Sequence, residues 1–278
     1  MNLQVLAVTM NQKDFSKFDQ MNVQSDVIYA NQADYTGYDM QYINGFKVEM
    51  ITTQTRGVSK NRNLCLIYAD ADILLFSDDD VVYNSDYSDK VIEAFENLPD
   101  ADAIIFNLNT KKDGMVVDAG RRNNNSIKKV NFLNCMNYGT CRLAVKRKSV
   151  EKKNISFNDC FGGGNVYSNG EDVLFICDLL KNKMKIYTYP YTIGTVTQDT
   201  STWFSGYNKK FLYDKGVLFA AISKTFAKPL CLQLLLRHKK MYREAKLSLF
   251  KAYKIMSIGI KGYDDIISYD ETVRRGMI

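Results

Sequence analysis

Histidine is all but missing from this chain: His238 is the only one among 278 residues. That excludes the paired imidazoles of an HExxH metalloprotease, and a Ser-His-Asp or Cys-His nucleophile system would have to rest on that one residue. Acid–base chemistry therefore falls to Asp and Glu. Long apolar runs are also missing, none approaching the ~18–20 residues that span a bilayer. The opening MNLQVLAVTMNQKDF has no basic stretch ahead of its apolar residues and reads as a first strand. Cys65, Cys135, Cys141, Cys160, Cys177 and Cys231 show no CxxC spacing and no partnering histidine. Reduced, mostly buried thiols are expected, with neither a zinc site nor a disulfide framework. Together these absences lead to the expectation of an intracellular protein, soluble or peripheral.

What is present is ordinary in bulk and uneven in placement. Hydrophobic residues make up 46% and aromatics 12%, enough for a sizeable core. The net charge of +6 divides sharply. Residues 207–278 hold 15 Lys/Arg against 6 Asp/Glu, a net of +9, whereas residues 1–206 hold 22 against 25, a net of −3. An acidic surface, such as anionic lipid or polyphosphate, is the natural partner of such a tail. The shift in charge and periodicity places a boundary near Gly206, giving an expected catalytic portion at 1–206 and a basic helical portion at 207–278.

Along the first portion, short apolar runs alternate with amphipathic stretches. Strands are expected at Leu3–Thr9, Ser25–Asn31, Phe46–Thr52, Ile73–Phe76 and Ala103–Leu108, with Arg142–Val145 further on. Helices are expected at Phe15–Met21, from an N-cap at Ser59 through Tyr68, and over Asp86–Leu98 with Pro99 closing it. A helix follows Asn169-Gly170-Glu171-Asp172, and Lys185–Val196 reads as an edge strand interrupted by Pro190. This order is that of an α/β nucleotide-binding sheet.

Three motifs bear chemistry. Asp78, Asp79 and Asp80 directly follow an apolar strand, where a parallel-type sheet opens its ligand crevice. Neighbouring like charges ask for an offsetting cation, and Mg²⁺ or Mn²⁺ takes one or two carboxylates plus phosphate oxygens. A solvated acidic turn is the plain alternative. Lys60 and Arg62 in GVSKNRN lie in the first turn of a helix, where cations are unfavourable with the dipole unless an anion sits there; a basic surface turn is the alternative. Asp172 and Glu171 open a helix after the flexible Phe161-Gly162-Gly163-Gly164-Asn165, and a carboxylate there can take a proton from a substrate hydroxyl. Acidic residues in a first turn are equally explained by the helix dipole.

In this order the motifs resemble the family 2 glycosyltransferases of GT-A type, within them the bacterial branch that builds capsular and exopolysaccharides. The resemblance spans about residues 3–206 and rests on Thr9-Met10-Asn11, GVSKNRN, the Asp78–Asp80 triplet and FGGG...NGED with Phe175 after it. It implies a mixed, mainly parallel central sheet flanked by helices, with a helical C-terminal extension. It also implies an inverting, metal-dependent transfer from a nucleotide diphosphate sugar, UDP being the expected carrier, to a saccharide or polyprenyl-diphosphate-linked saccharide. By position, Asp78 and Asp80 would hold Mn²⁺ or Mg²⁺ and, with Asp79, the diphosphate. Thr9 and Asp34 would face the nucleobase, with Lys60 and Arg62 beside the nucleotide. Asp172 would be the base, Glu171 would orient the acceptor or the loop, and Gly163, Gly164 and Trp203 would line the acceptor side. For Trp203, the only tryptophan, core packing is the plain alternative.

Two departures narrow this. The usual Pro-Thr-Tyr-Asn opening is here Val-Thr-Met-Asn, and no Gln-x-x-Arg-Trp motif exists, since Gln198 and Trp203 stand five apart with no arginine between them. A single-addition transferase is expected, without a membrane channel. Between residues 207 and 261, 13 Lys/Arg face 2 Asp/Glu, which suits peripheral docking on the inner face of the plasma membrane; a solvated basic face that only buttresses the domain is the alternative. Asp78-x-Asp80-x-Val82 also satisfies the nucleophile motif of haloacid-dehalogenase-type phosphatases, although several elements precede it here. A basic lipid- or nucleic-acid-binding protein is the non-enzymatic alternative. No nucleic-acid partner is expected, because the basic excess is confined to the tail and the sheet half is acidic.

Overall fold

Leu3–Ala7 is apolar at nearly every position and is buried on both sides, as a strand at the centre of a sheet must be. The computed structural model describes residues 1–112, 115–117, 123–197, 206–265 and 273–276. The chain forms two compact units, one from Met1–Asn158 with Phe175–Ser201, the other from Asp159–Leu174 with Thr202–Ile278. In chain order the first elements are β1 (Leu3–Met10), α1 (Lys17–Gln20), β2 (Asp26–Gln32), β3 (Gly37–Ile43), β4 (Phe46–Thr53), α2 (Val58–Tyr68), β5 (Ile73–Asp78), β6 (Val81–Tyr83), α3 (Tyr87–Asn97) and β7 (Ala103–Lys112). After them come β8 (Met115–Val117), β9 (Lys128–Lys129), β10 (Leu143–Lys146), α4 (Arg147–Lys152), α5 (Glu171–Lys181) and β11 (Ile186–Thr197). The last are α6 (Lys209–Ile222), α7 (Ala227–Arg237), α8 (Lys239–Glu244) and α9 (Leu249–Asp265).

The first unit is one sheet of 11 strands in the order β3-β4-β2-β1-β5-β10-β7-β11-β6, with β8 on β7 and β9 on β11. It is mixed. Strands β4, β2, β1 and β5 run parallel, β11 is parallel to β7, and β10 lies antiparallel between β5 and β7. One face packs Val5, Tyr29 and Leu75 with Val91 and Phe95 of α3. On α2, Cys65 Sγ approaches the carbonyls of Ala7 and Ile28.

Four local expectations need correction. The cap of α2 is Gly57, with φ 122°, and not Ser59, which is the second helical residue and is buried. Glycine is required at such a φ. As a result Arg62 falls in the second turn. Strand β11 is no edge: it lies between β7 and β6, and Pro190 sits where its register on β7 shifts between Thr188 and Thr192, a bulge that dispenses with the missing N–H. Strand β3 was not anticipated; it turns into β4 through Asn44-Gly45, both at positive φ (52° and 85°). Short β6, paired to β11, was also missed.

The second unit is helical. Helices α6 and α9 pack through glycine: a Cβ on Gly216 would collide with the carbonyl of Met256, and one on Gly259 with that of Tyr213. Residues 159–174 pack in this unit with α6 to α9, so the glycine-rich loop and Asp172 are built together with the C-terminal helices. Among the described residues no helix is long and apolar enough to cross a membrane.

Candidate functional site

The C-terminal ends of β1 and β5 lie side by side, Val8 in register with Asp78. This places Thr9 next to the carboxylate triplet, and its hydroxyl donates to Asp79 Oδ2. Lys17, from α1, donates to the Asp79 carbonyl at 3.1 Å and lies 3.8 Å from its carboxylate. Asp78 has a different partner: Arg62 Nη2 reaches its Oδ1 at 2.9 Å.

Arg62 is only 3% exposed, which a guanidinium tolerates when it is paired and stacked. Its stacking partner is Phe157, whose ring lies 5.4 Å from the guanidinium carbon. Phe157 in turn stacks on Phe175 at 4.0 Å, with Phe76 edge-on to both. The amide of Asn63 exchanges two hydrogen bonds with the Phe157 backbone, at 2.7 and 2.9 Å. Helix α2 thus aims a buried cation at Asp78 through an aromatic wedge.

Asp80 is accessible to solvent and carries no ion pair among the described residues. Desolvation first, and then the charges of Asp78 and Asp79, push its pKa up to about 6, against Lys17 and a backbone hydrogen bond. A carboxylate held in this way is a ready ligand for a divalent cation, which would remove the like-charge penalty. Among the described residues no three metal-binding side chains gather into a cage. A divalent cation that also takes oxygens from a ligand needs only one or two carboxylates, which Asp80 with Asp78 would supply.

Other expected donor residues differ in placement. Asp34, whose side chain is 93% exposed, pairs with Arg56 at 3.1 Å at the end of the β2 loop. Lys60 is exposed on α2 and has no ion pair among the described residues. Three contributors escaped the sequence reading: Lys17, Phe157, and Gln32, whose Oε1 takes the N–H of Gly57 at 2.9 Å and fixes the start of α2. None lies in a motif; only the sheet brings them there.

In the second unit, Gly162 (φ 100°) donates to Tyr167 O and Tyr167 to Cys160 O, both at 2.8 Å, folding the glycine loop on itself around Gly163 and Gly164. Asp214 of α6 is fully buried and accepts the Ser168 N–H at 3.0 Å, the Ser168 hydroxyl at 2.8 Å and Lys210 Nζ at 2.8 Å. Lys210 also donates to Val166 O at 2.8 Å. Gly170, at φ 110°, lies so close to Leu218 that a side chain there would collide with it. This clamp ends at the first turn of α5, where Glu171 and Asp172 are half-buried. Trp203 lies outside the described residues.

The family model described as Glycosyl transferase family 2 matches residues 26–152. No curated protein matches the chain in sequence. Among solved structures, the chain is similar to residues 1–349 of Staphylococcus aureus TarS in complex with UDP-GlcNAc, at 15% identity and TM-score 0.63, covering 99% of this chain and 92% of that one. The same TarS fragment in complex with UDP gives 16% identity and TM-score 0.61 with the same coverage. Against another S. aureus TarS structure the TM-score is 0.59, and the match covers 86% of this chain and 43% of that one. At such identity the likeness is one of fold. Residues 26–152 thus match the model of glycosyl transferase family 2, within a fold of the GT-A type.

Proposed function

We propose that this chain transfers a single sugar, with inversion, from a nucleotide diphosphate donor to a saccharide acceptor in bacterial cell-surface polysaccharide synthesis. UDP is the proposed carrier, because the TarS structures similar in fold were solved with UDP-GlcNAc and UDP. A saccharide linked to polyprenyl diphosphate is the proposed acceptor class. The observation that carries this reading is the edge formed by β1 and β5, where Arg62, Thr9 and Lys17 surround the Asp78–Asp80 carboxylates.

In this reading Asp172 takes the proton of the acceptor hydroxyl as its oxygen attacks the anomeric carbon. The bond from that carbon to the diphosphate breaks, and its electron pair leaves on the diphosphate oxygen. A divalent cation, Mn²⁺ or Mg²⁺, held by Asp80 and Asp78 would offset the charge of that leaving group, so no second carboxylic acid is required. Arg62 lies beside the nucleotide, Asp34 faces the base, and Glu171 orients the acceptor. Gly163 and Gly164 let the loop backbone approach the acceptor closely.

The test is thermal shift with UDP-, GDP- and dTDP-sugars, with and without Mn²⁺, followed by transfer assays. A UDP-sugar is expected to stabilise the protein, more so with Mn²⁺, and exhaustive chelation is expected to abolish transfer. Asp172→Asn is expected to lower turnover by about 10²–10⁴-fold while donor binding persists. Transfer unaffected by chelation would remove the metal role of Asp78 and Asp80, and near-normal turnover by the variant would remove Asp172 as base.

A further inference from the structure

Helix α7 is apolar on two opposite faces. Ala227, Cys231 and Leu235, four apart, are fully buried. Pro229, Leu232 and Leu236, three and four apart, form the other face and are exposed, Leu232 at 43% and Leu236 at 52%. Phe226, which precedes the helix, is 62% exposed, and Phe250 in the first turn of α9 is 75% exposed. A surface helix ordinarily turns polar residues to water, so an outward leucine face needs an occupant.

The rim of this face identifies the occupant's charge. Exposed Lys228 and Arg237 flank it, exposed Lys239, Lys240 and Arg243 follow on α8, and exposed Lys246 comes just after it. From Lys224 to Lys261 there are ten Lys/Arg and a single acid, Glu244, which pairs with Lys240 at 3.4 Å. A second copy of this chain would set these cations against their own kind. An anionic bilayer satisfies both features, since its headgroups take the cations and its acyl boundary takes the leucines.

We propose that α7 inserts its Leu232–Leu236 face into an anionic lipid leaflet, with Phe226 and Phe250 as further anchors, so that binding has a component that salt does not release. Screening weakens the contacts of exposed charges and leaves apolar burial in place. This goes beyond the proposed transfer reaction and does not depend on it, because vesicle binding is read without donor or acceptor.

The experiment sediments the full chain with vesicles of pure phosphatidylcholine and of phosphatidylcholine with phosphatidylglycerol, in low and high salt. The chain is expected to pellet with the anionic vesicles and to remain partly bound in high salt. Leu232→Ser combined with Leu236→Ser is expected to lower the salt-resistant fraction about tenfold or more, with an unchanged circular-dichroism spectrum because both sites are exposed. Lys239→Glu with Lys240→Glu is expected to lower binding in low salt. Binding fully released by salt, equal binding by the leucine variant, or a soluble dimer that the leucine variant dissociates without any vesicle binding would each overturn the proposal.

Discussion

Asp214 shows how one buried carboxylate can govern a loop it does not belong to. Its three partners, the Ser168 N–H, the Ser168 hydroxyl and Lys210, fix the residues just ahead of Glu171 and Asp172. Asp214→Asn keeps the shape but loses the charge that holds Lys210. Under the proposed transfer, turnover is expected to fall about 10²-fold, as misplacing a base by ~1 Å does, while the thermal shift with a UDP-sugar stays as in the parent chain. Equal losses in donor binding and turnover would argue for general unfolding instead. The next residue, Lys215, lies over the Phe211 ring at 5.4 Å, and burial pulls its pKa down to about 8 against the raising influence of Glu171 and Asp214. Between about 8 and the ordinary 10.5 the unfolded chain holds a proton that the folded chain has released, so this group makes stability rise with pH across that window. Below it, the burden of the buried ammonium is fully present. Urea titrations should find Lys215→Met more stable than the parent near pH 7, the gap closing as pH climbs through the window.

At the scale of elements, close approach is the rule that mutation tests best. Since a Cβ on Gly259 would meet the Tyr213 carbonyl, Gly259→Ala must push α9 off α6. A loss of about 1–3 kcal/mol is expected in chemical denaturation, with the thermal shift on adding a UDP-sugar, expected from the proposed function, as a separate readout. The elements legible in the sequence were those with one clear period. The continuous apolar runs of β1, β5 and β7 and the helical spacing of Val91 and Phe95 in α3 were read directly. Strand β3 escaped because all its central residues are exposed, so no alternation marks it; Asn44-Gly45 was the signal available. Strand β11 was read as an edge because Pro190 argues against a central position, and the register shift that accommodates it is invisible in one dimension. In the site, the triplet Asp78–Asp80 stood out as charges out of place; Arg62 was noticed on a first-turn placement that the Gly57 cap overturns, and Phe157 reaches it only through the fold.

For the whole molecule, the division of charge separates two kinds of surface. The acidic excess belongs to the sequence that makes the sheet, and the basic excess to α6 through α9 and the residues after them. Burial of Arg62 and Asp214 shows that neither bulk number predicts which charges matter, because both work inside the protein with chosen partners. The sheet order has a further consequence for the protein in concentrated solution. It begins at β3, a strand of seven residues whose Tyr38, Met40 and Tyr42 are exposed, and whose outer backbone groups have no neighbouring strand in that order. Such a rim is a template on which another polypeptide can lay down a strand. Asp39 is the one charge within it, so Asp39→Asn is expected to make this rim the place where aggregation nucleates.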